Sequence, residues 1–113
     1  MGKINSRAKG QRGELELATF FKEHGIEARR GQQFSGGPGS PDVVHGLPGV
    51  HVECKRTESL QLWPALDQAT RDAAEGFTPV VFHRPSRRPW IAILDASAFI
   101  ELVKEAHRGR QTD

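Results

Sequence analysis

The amino-acid sequence predicts an α/β fold in the order α-β-β-β-α-β-β-α, and three observations carry that expectation. Three segments repeat apolar residues at the spacing of one helix face. Between them lie five short runs rich in valine, isoleucine or phenylalanine, or bounded by glycine and proline. The clearest of these, VHVECK at residues 50–55, alternates strictly: Val50, Val52 and Cys54 on one face, His51, Glu53 and Lys55 on the other.

Residues 9–24, KGQRGELELATFFKEH, form the first predicted helix, with Leu17, Ala18 and Phe21 at helical spacing and Gly25 as its C-terminal stop. IEARRGQQF follows as a strand. SGGPGSP holds too much glycine and proline for regular structure and reads as a loop. DVVHG is a short strand, which LPG turns back into VHVECK, so the two are expected to pair as a hairpin. A second helix is expected over residues 62–75. Pro64 suits its first turn, Leu62, Leu66, Ala69 and Ala73 make its apolar stripe, and Gly76 ends it. TPVVFHR and PWIAILD are strands around an arginine-rich turn, and ASAFIELVKEAH closes as a helix capped by Asp95 or Ser97. No internal repeat, long linker or low-complexity tract interrupts this order.

The 113 residues suit a single domain over 1–113 with one thin core. Residues 1–8 are expected as a flexible basic arm and 108–113 as a flexible tail. Hydrophobic residues at 36% and charged residues at 27% describe a globular, soluble chain rather than a disordered or membranous one. No run approaches the roughly 18 apolar residues that cross a bilayer, and the basic N-terminus lacks the apolar stretch of a secretory signal. The single cysteine, Cys54, excludes an internal disulfide framework and a cysteine zinc cluster, and suits a reducing cytoplasm. Net charge is only +2, but it is laid out unevenly. Lys3, Arg7, Lys9 and Arg12 form one basic cluster, Arg84, Arg87 and Arg88 a second, and Lys104, Arg108 and Arg110 a third. Such clusters on a near-neutral chain point to a polyanion, because phosphate contacts release counterions. A merely solvated surface is the plain alternative.

Strand cores usually exclude charge, so Asp42, Glu53 and Lys55 among the valines of GSPDVVHGLPGVHVECKRTES ask for either a solvated face or a site. Glu53 and Lys55 leave the same strand face about 7 Å apart, and the turn would bring Asp42 opposite the Glu53 end. Two carboxylates converging on one point repel unless a cation or a proton lies between them. Oxygen ligands with no imidazole or thiolate partner favour Mg²⁺ or Mn²⁺. A lysine beside them can assist a water at the metal or stabilise charge on a phosphate. Glu14 prolongs the apolar stripe of the first helix and is expected to face the sheet, whereas Glu16 and Glu23 are expected to face solvent. The structural alternatives are Asp42 as a turn residue, Glu53 and Lys55 as an exposed salt bridge, and Glu14 as a solvated acid. They lose weight because the four residues share one predicted location.

Pro41-Asp42, Glu53-Cys54-Lys55 and the helical Glu14 before them resemble the PD-(D/E)xK nuclease superfamily. Within it the chain is most similar to the archaeal and phage Holliday junction resolvases, from RGELELATFF through to VVFHRPSRRPWIAIL. The resemblance implies a restriction-endonuclease-like core, a mixed central β-sheet flanked by helices. It implies Asp42 and Glu53 as metal ligands completed by the backbone carbonyl of Cys54, with Glu14 bound directly or through water. Lys55 would orient or activate the attacking water, and Gln68 resembles a glutamine that often follows the motif and touches water or phosphate. A serine on the loop before the aspartate is also implied; Ser35 and Ser40 both qualify, and Ser35 is preferred. Lys3, Arg7, Lys9, Arg12, Arg29 and Arg30 would hold the DNA backbone.

The expectation is therefore a Mg²⁺-dependent endonuclease of DNA recombination and repair, with Mn²⁺ as a substitute, leaving a 5′-phosphate and a 3′-hydroxyl. Branched double-stranded DNA, specifically a four-way junction, is the preferred substrate. A two-fold homodimer would set two sites symmetrically for paired nicks, and Phe99, Ile100 and Val103 are spare hydrophobics for its interface. No base-reading motif appears, so recognition should rest on shape and backbone charge. Two rivals stand beside this: the same fold acting on flaps, nicks or duplex, and a catalytically silent DNA-binding module. The compact form suits a phage or a prokaryote, hence a cytoplasmic protein, in the host if phage-encoded. His45 and His51 could support the site or contact phosphate, but solvated histidines are the preferred reading; Cys54 is expected to be a packed thiol, and Trp63 more exposed than Trp90.

Overall fold

The computed structural model describes residues 6–31 and 43–111, with side chains over 10–31 and 43–109. Its elements are α1 (Ser6–Glu23), β1 (Ala28–Arg30), β2 (Val43–His45), β3 (Val50–Lys55), α2 (Leu62–Asp72), β4 (Thr78–His83), β5 (Ile91–Ile93) and α3 (Ala96–Gln111), an α/β chain in the expected order. Among the described residues no helix is long and apolar enough to cross a membrane.

Helix α1 is held by the stripe the sequence marks: Leu17, Ala18 and Phe21 are buried against Val43 and Val52. It stops at Gly25, whose φ of 78° is the left-handed conformation that glycine adopts without strain. The N–H groups of Gly25 and Ile26 then satisfy the last carbonyls, those of Lys22 and Phe21. The helix begins at Ser6, so it takes in residues 6–8 of the expected arm, while residues 1–5 lie outside the described residues.

β3 and β4 run parallel, in register from Val50↔Thr78 to Lys55↔His83, with α2 as the crossover between them. β5 adds to β4 antiparallel, which makes a mixed three-stranded sheet in the order β3-β4-β5. Strand alternation divides the work. Val50, Val52 and Cys54 face the α1 core, while Val81 packs with Ala65, Leu66 and Ala69 of α2 on the opposite face. Helices therefore flank the sheet on both sides, a restriction-endonuclease-like arrangement.

The structure departs from the sequence expectations at several points. The hairpin is not a ladder: β2 pairs antiparallel with β1, and β3 pairs with β4. The reason is length, since β4 offers β3 a partner along all six residues whereas β2 has three. Helix α2 ends at Asp72 rather than Glu75, with Ala73 already extended, and Leu62 is 38% exposed while Ala65 takes its place in the buried stripe. Asp95, not Ser97, caps α3, accepting from the Ala98 N–H at 3.3 Å. That helix continues to Gln111, so residues 108–111 of the expected tail are helical, and 112–113 lie outside the described residues.

Candidate active site

The polar face of β3 lies against α2. Glu53 is 4% exposed, an unusual depth for a carboxylate in so small a chain. Lys55 Nζ stands 3.9 Å from Glu53 Oε2 and donates to Gln68 Oε1 at 3.2 Å. His51 Nε2 stands 3.7 Å from Glu53 Oε1, so the carboxylate has an imidazole on one oxygen and an ammonium on the other. The alternation of β3 puts all three on one face, and Gln68 meets them from α2, one residue before Ala69, the most deeply buried of that helix's three buried residues.

His51 corrects the expectation of a solvated histidine. Its side chain is 10% exposed, and Nε2 is a buried nitrogen with no hydrogen-bond partner among the described residues. It also corrects the premise that the acids have no imidazole beside them. His45 is half-buried as well, and its Nδ1 accepts the Leu47 N–H at 3.1 Å. Burial holds the His45 imidazole below its ordinary value, a hydrogen bond with the Val50 backbone opposes this, and the nearby His51 adds to the lowering. A cavity of about 350 Å³ opens beside this face, with His45, Leu47, His51, Asp72 and Phe77 in its lining.

Glu14, on α1, is mostly buried and lies 3.9 Å from Arg30 Nε. Glu16 does not simply face solvent, contrary to expectation: it is one-third exposed and held by two arginines. Its Oε1 accepts from Arg56 Nε at 3.0 Å and also from the Arg84 guanidinium. Arg56 further lies 3.5 Å from Glu58 Oε2, and Arg84 Nε donates to the Arg88 carbonyl at 2.6 Å. Arg84 is thus spent inside the protein, while Arg87 and Arg88 are exposed. This clamp brings α1 so close to the end of β3 that a Cβ on Gly13 would stand 2.6 Å from Arg56 Cβ. Gly13, buried in mid-helix, was the one local sign of that approach.

Cys54 is partly buried against the α1 core, as a packed thiol should be, and Trp63 is 70% exposed while Trp90 packs against Phe20. Arg12 and Arg29 are exposed and Arg30 is half-buried. Asp42, Ser35, Ser40 and Lys3 lie outside the described residues, as do the side chains of Arg7 and Lys9.

Among the described residues no three histidine, cysteine, aspartate or glutamate side chains stand together as a metal cage. The described part of the site still suits a divalent ion. Glu53 offers a buried carboxylate oxygen, and the buried His51 nitrogen beside it has no hydrogen-bond partner among the described residues. Completing the shell needs further oxygens, and the chain places Asp42 directly before β2.

A mixed sheet flanked by helices, with Glu-Cys-Lys on a strand that one of those helices covers, defines a restriction-endonuclease-like protein of the PD-(D/E)xK superfamily. Residues 5–70 match the family model of the archaeal Holliday junction resolvase (hjc), more than half of the chain, and the chain belongs to that family. No curated protein matches the chain, and no solved structure does.

Proposed function

We propose that this chain is a metal-dependent endonuclease that resolves four-way DNA junctions by paired symmetric nicks. One observation carries the reading: in a member of the resolvase family, a buried Glu53 shares a strand face with Lys55, whose ammonium is tethered to Gln68. A purely structural ion pair at this depth gains little, because desolvation offsets attraction when the contact is as long as 3.9 Å.

Asp42, Glu53 and the Cys54 carbonyl would hold the ion, with Glu14 reaching it directly or through water. Bound there, Mg²⁺ or Mn²⁺ supplies charge stabilisation to the phosphate oxygens. Lys55 orients the attacking water, and its bond to Gln68 limits the rotamers open to a long, flexible side chain. Ser35, or Ser40, would reach the phosphate from the loop before Asp42. The exposed Arg12 and Arg29, with Lys3, Arg7, Lys9 and Arg30, would bind the backbone of branched DNA without reading bases. A homodimer would pair two such sites, and α3 supports it by presenting Phe99, Ile100 and Val103 each about half exposed.

Cleavage of a synthetic four-way junction, a flap and a linear duplex, side by side with Mg²⁺, tests the reading. Symmetric nicks in the junction are expected, together with their loss in Asp42→Ala. Equal cutting of linear duplex would remove the junction preference, and cleavage unchanged by Asp42→Ala would remove the site.

A further inference from the structure

We infer that His51 is a further ligand of the ion held at Glu53, a nitrogen donor in what would otherwise be an all-oxygen site. This rests on the metal-dependent reading above and deepens it.

Three observations converge. Strand alternation puts His51 on the face of Glu53 and Lys55, two residues from the carboxylate. The side chain is nine-tenths buried, and Nε2 has no hydrogen-bond partner among the described residues. A buried polar atom in that condition is rare and asks for an unseen partner, an ion or a water. The third is distance. At 3.7 Å, His51 Nε2 and Glu53 Oε1 are too far apart for a direct hydrogen bond. Two donors each about 2.1 Å from one ion, subtending roughly 90–120° there, stand about 3.0–3.6 Å apart. The observed 3.7 Å lies just beyond that range, and a small side-chain adjustment brings the two donors within it. Lys55 sits on the other oxygen, Oε2, so the imidazole and the ammonium do not compete for one lone pair.

The consequence is a change of metal preference. Carboxylate, carbonyl and water donors suit Mg²⁺, which dehydrates reluctantly, whereas imidazole draws a site toward transition ions. A mixed set of oxygens and one imidazole nitrogen favours Mn²⁺ over Mg²⁺.

The test uses Mn²⁺ alone with the full chain, read by pulsed EPR for hyperfine coupling to ¹⁴N. The wild-type protein should show imidazole ¹⁴N modulation, converted to a ¹⁵N pattern when histidine is isotopically labelled. His51→Gln should abolish it and weaken Mn²⁺ binding by about 10–100-fold, with a smaller loss for Mg²⁺. His45→Gln should retain it. No nitrogen coupling in the wild type, or coupling that persists in His51→Gln, overturns the inference. The wild-type spectrum stands even if a variant folds poorly, because absence of modulation is decisive by itself. Glu53→Gln separates the two levels. If it abolishes Mn²⁺ binding while the wild type shows no ¹⁴N coupling, only the role of His51 falls. If it binds Mn²⁺ as the wild type does, the metal site itself falls.

Discussion

Two carboxylate-centred regions lie within a few residues of each other and are built on opposite principles. In the clamp, Glu16 accepts from Arg56 at 3.0 Å and from Arg84, and Glu58 accepts from the backbone and hydroxyl of Ser86 at 3.0 and 2.6 Å. Those are charge-assisted bonds at full strength, at the solvent-accessible rim. On the α2 face of β3, Glu53 is almost wholly buried, the His51 imidazole and the Lys55 ammonium stand 3.7 and 3.9 Å away, and the imidazole Nε2 has no hydrogen-bond partner among the described residues. The clamp spends its charges on itself. The site sets its imidazole and its ammonium farther from the carboxylate than the clamp's contacts. A protein selecting for stability alone would close the second set or replace it with apolar residues, which is often neutral or stabilising.

The sharpest way to break this comparison is to neutralise one carboxylate. Glu53→Gln keeps the shape and removes the charge. Junction nicking measured in single turnover should fall by at least about 10²–10³-fold, while the melting temperature stays level or rises. A large loss of stability with activity intact per folded molecule would make Glu53 a structural acid like Glu16, and the contrast would vanish.

How far the sequence foretold these regions follows from the range of the interactions. The split of β3 into an apolar and a polar face was legible because strand periodicity is local, and so was the α1 stripe through Leu17 and Phe21. Glu53 and Lys55 on one face needed nothing more. The clamp was not legible: Glu16 finds Arg56 and Arg84 forty and sixty-eight residues away, and no local pattern selects those pairs. His51 failed for another reason. Its position was readable, but its burial depends on the cover that α2 and the following segment give, and a histidine on a strand fits a wet face equally well. The hairpin failed because turn chemistry at 46–49 fixes a reversal and not a ladder. Which strand β3 pairs with is decided by the full-length partner β4 offers.

Next in size is the contact that lets the clamp form. Gly13→Ala would put a methyl 2.6 Å from Arg56 Cβ, an atom too near the backbone to swing away. Denaturant unfolding should show a loss of about 1–3 kcal/mol, and β3 should shift at its Arg56 end. An unchanged midpoint would mean that α1 does not approach so closely. Glu16→Gln should cost less, about 1 kcal/mol, since the carboxylate is one-third exposed and solvent screens it. Its effect should be on stability first, with nicking per folded molecule within a few-fold of wild type. A selective collapse of nicking would move Glu16 from the clamp into the site.

The smallest effect belongs to Glu58, the clamp's outermost acid. The Ser86 hydroxyl and N–H hold its carboxyl below the usual carboxylate value, with Arg56 adding to this and a slight desolvation opposing it. A carboxyl lowered in the folded state binds its proton less readily than in the unfolded chain. The unfolded state therefore takes up more protons as acid is added. The stabilisation is complete above the unfolded value near 4.5 and is lost as pH falls through the lower folded value. Glu58→Gln retains an acceptor for Ser86 but does not titrate. Its stability should fall less steeply than wild type below about pH 4.5, and the two should run parallel above pH 6. Because Glu58 is exposed, the difference should shrink further in high salt. Identical acid limbs would show that the Ser86 contact is not maintained in solution, and would reduce the self-satisfied region to Glu16 and its two arginines.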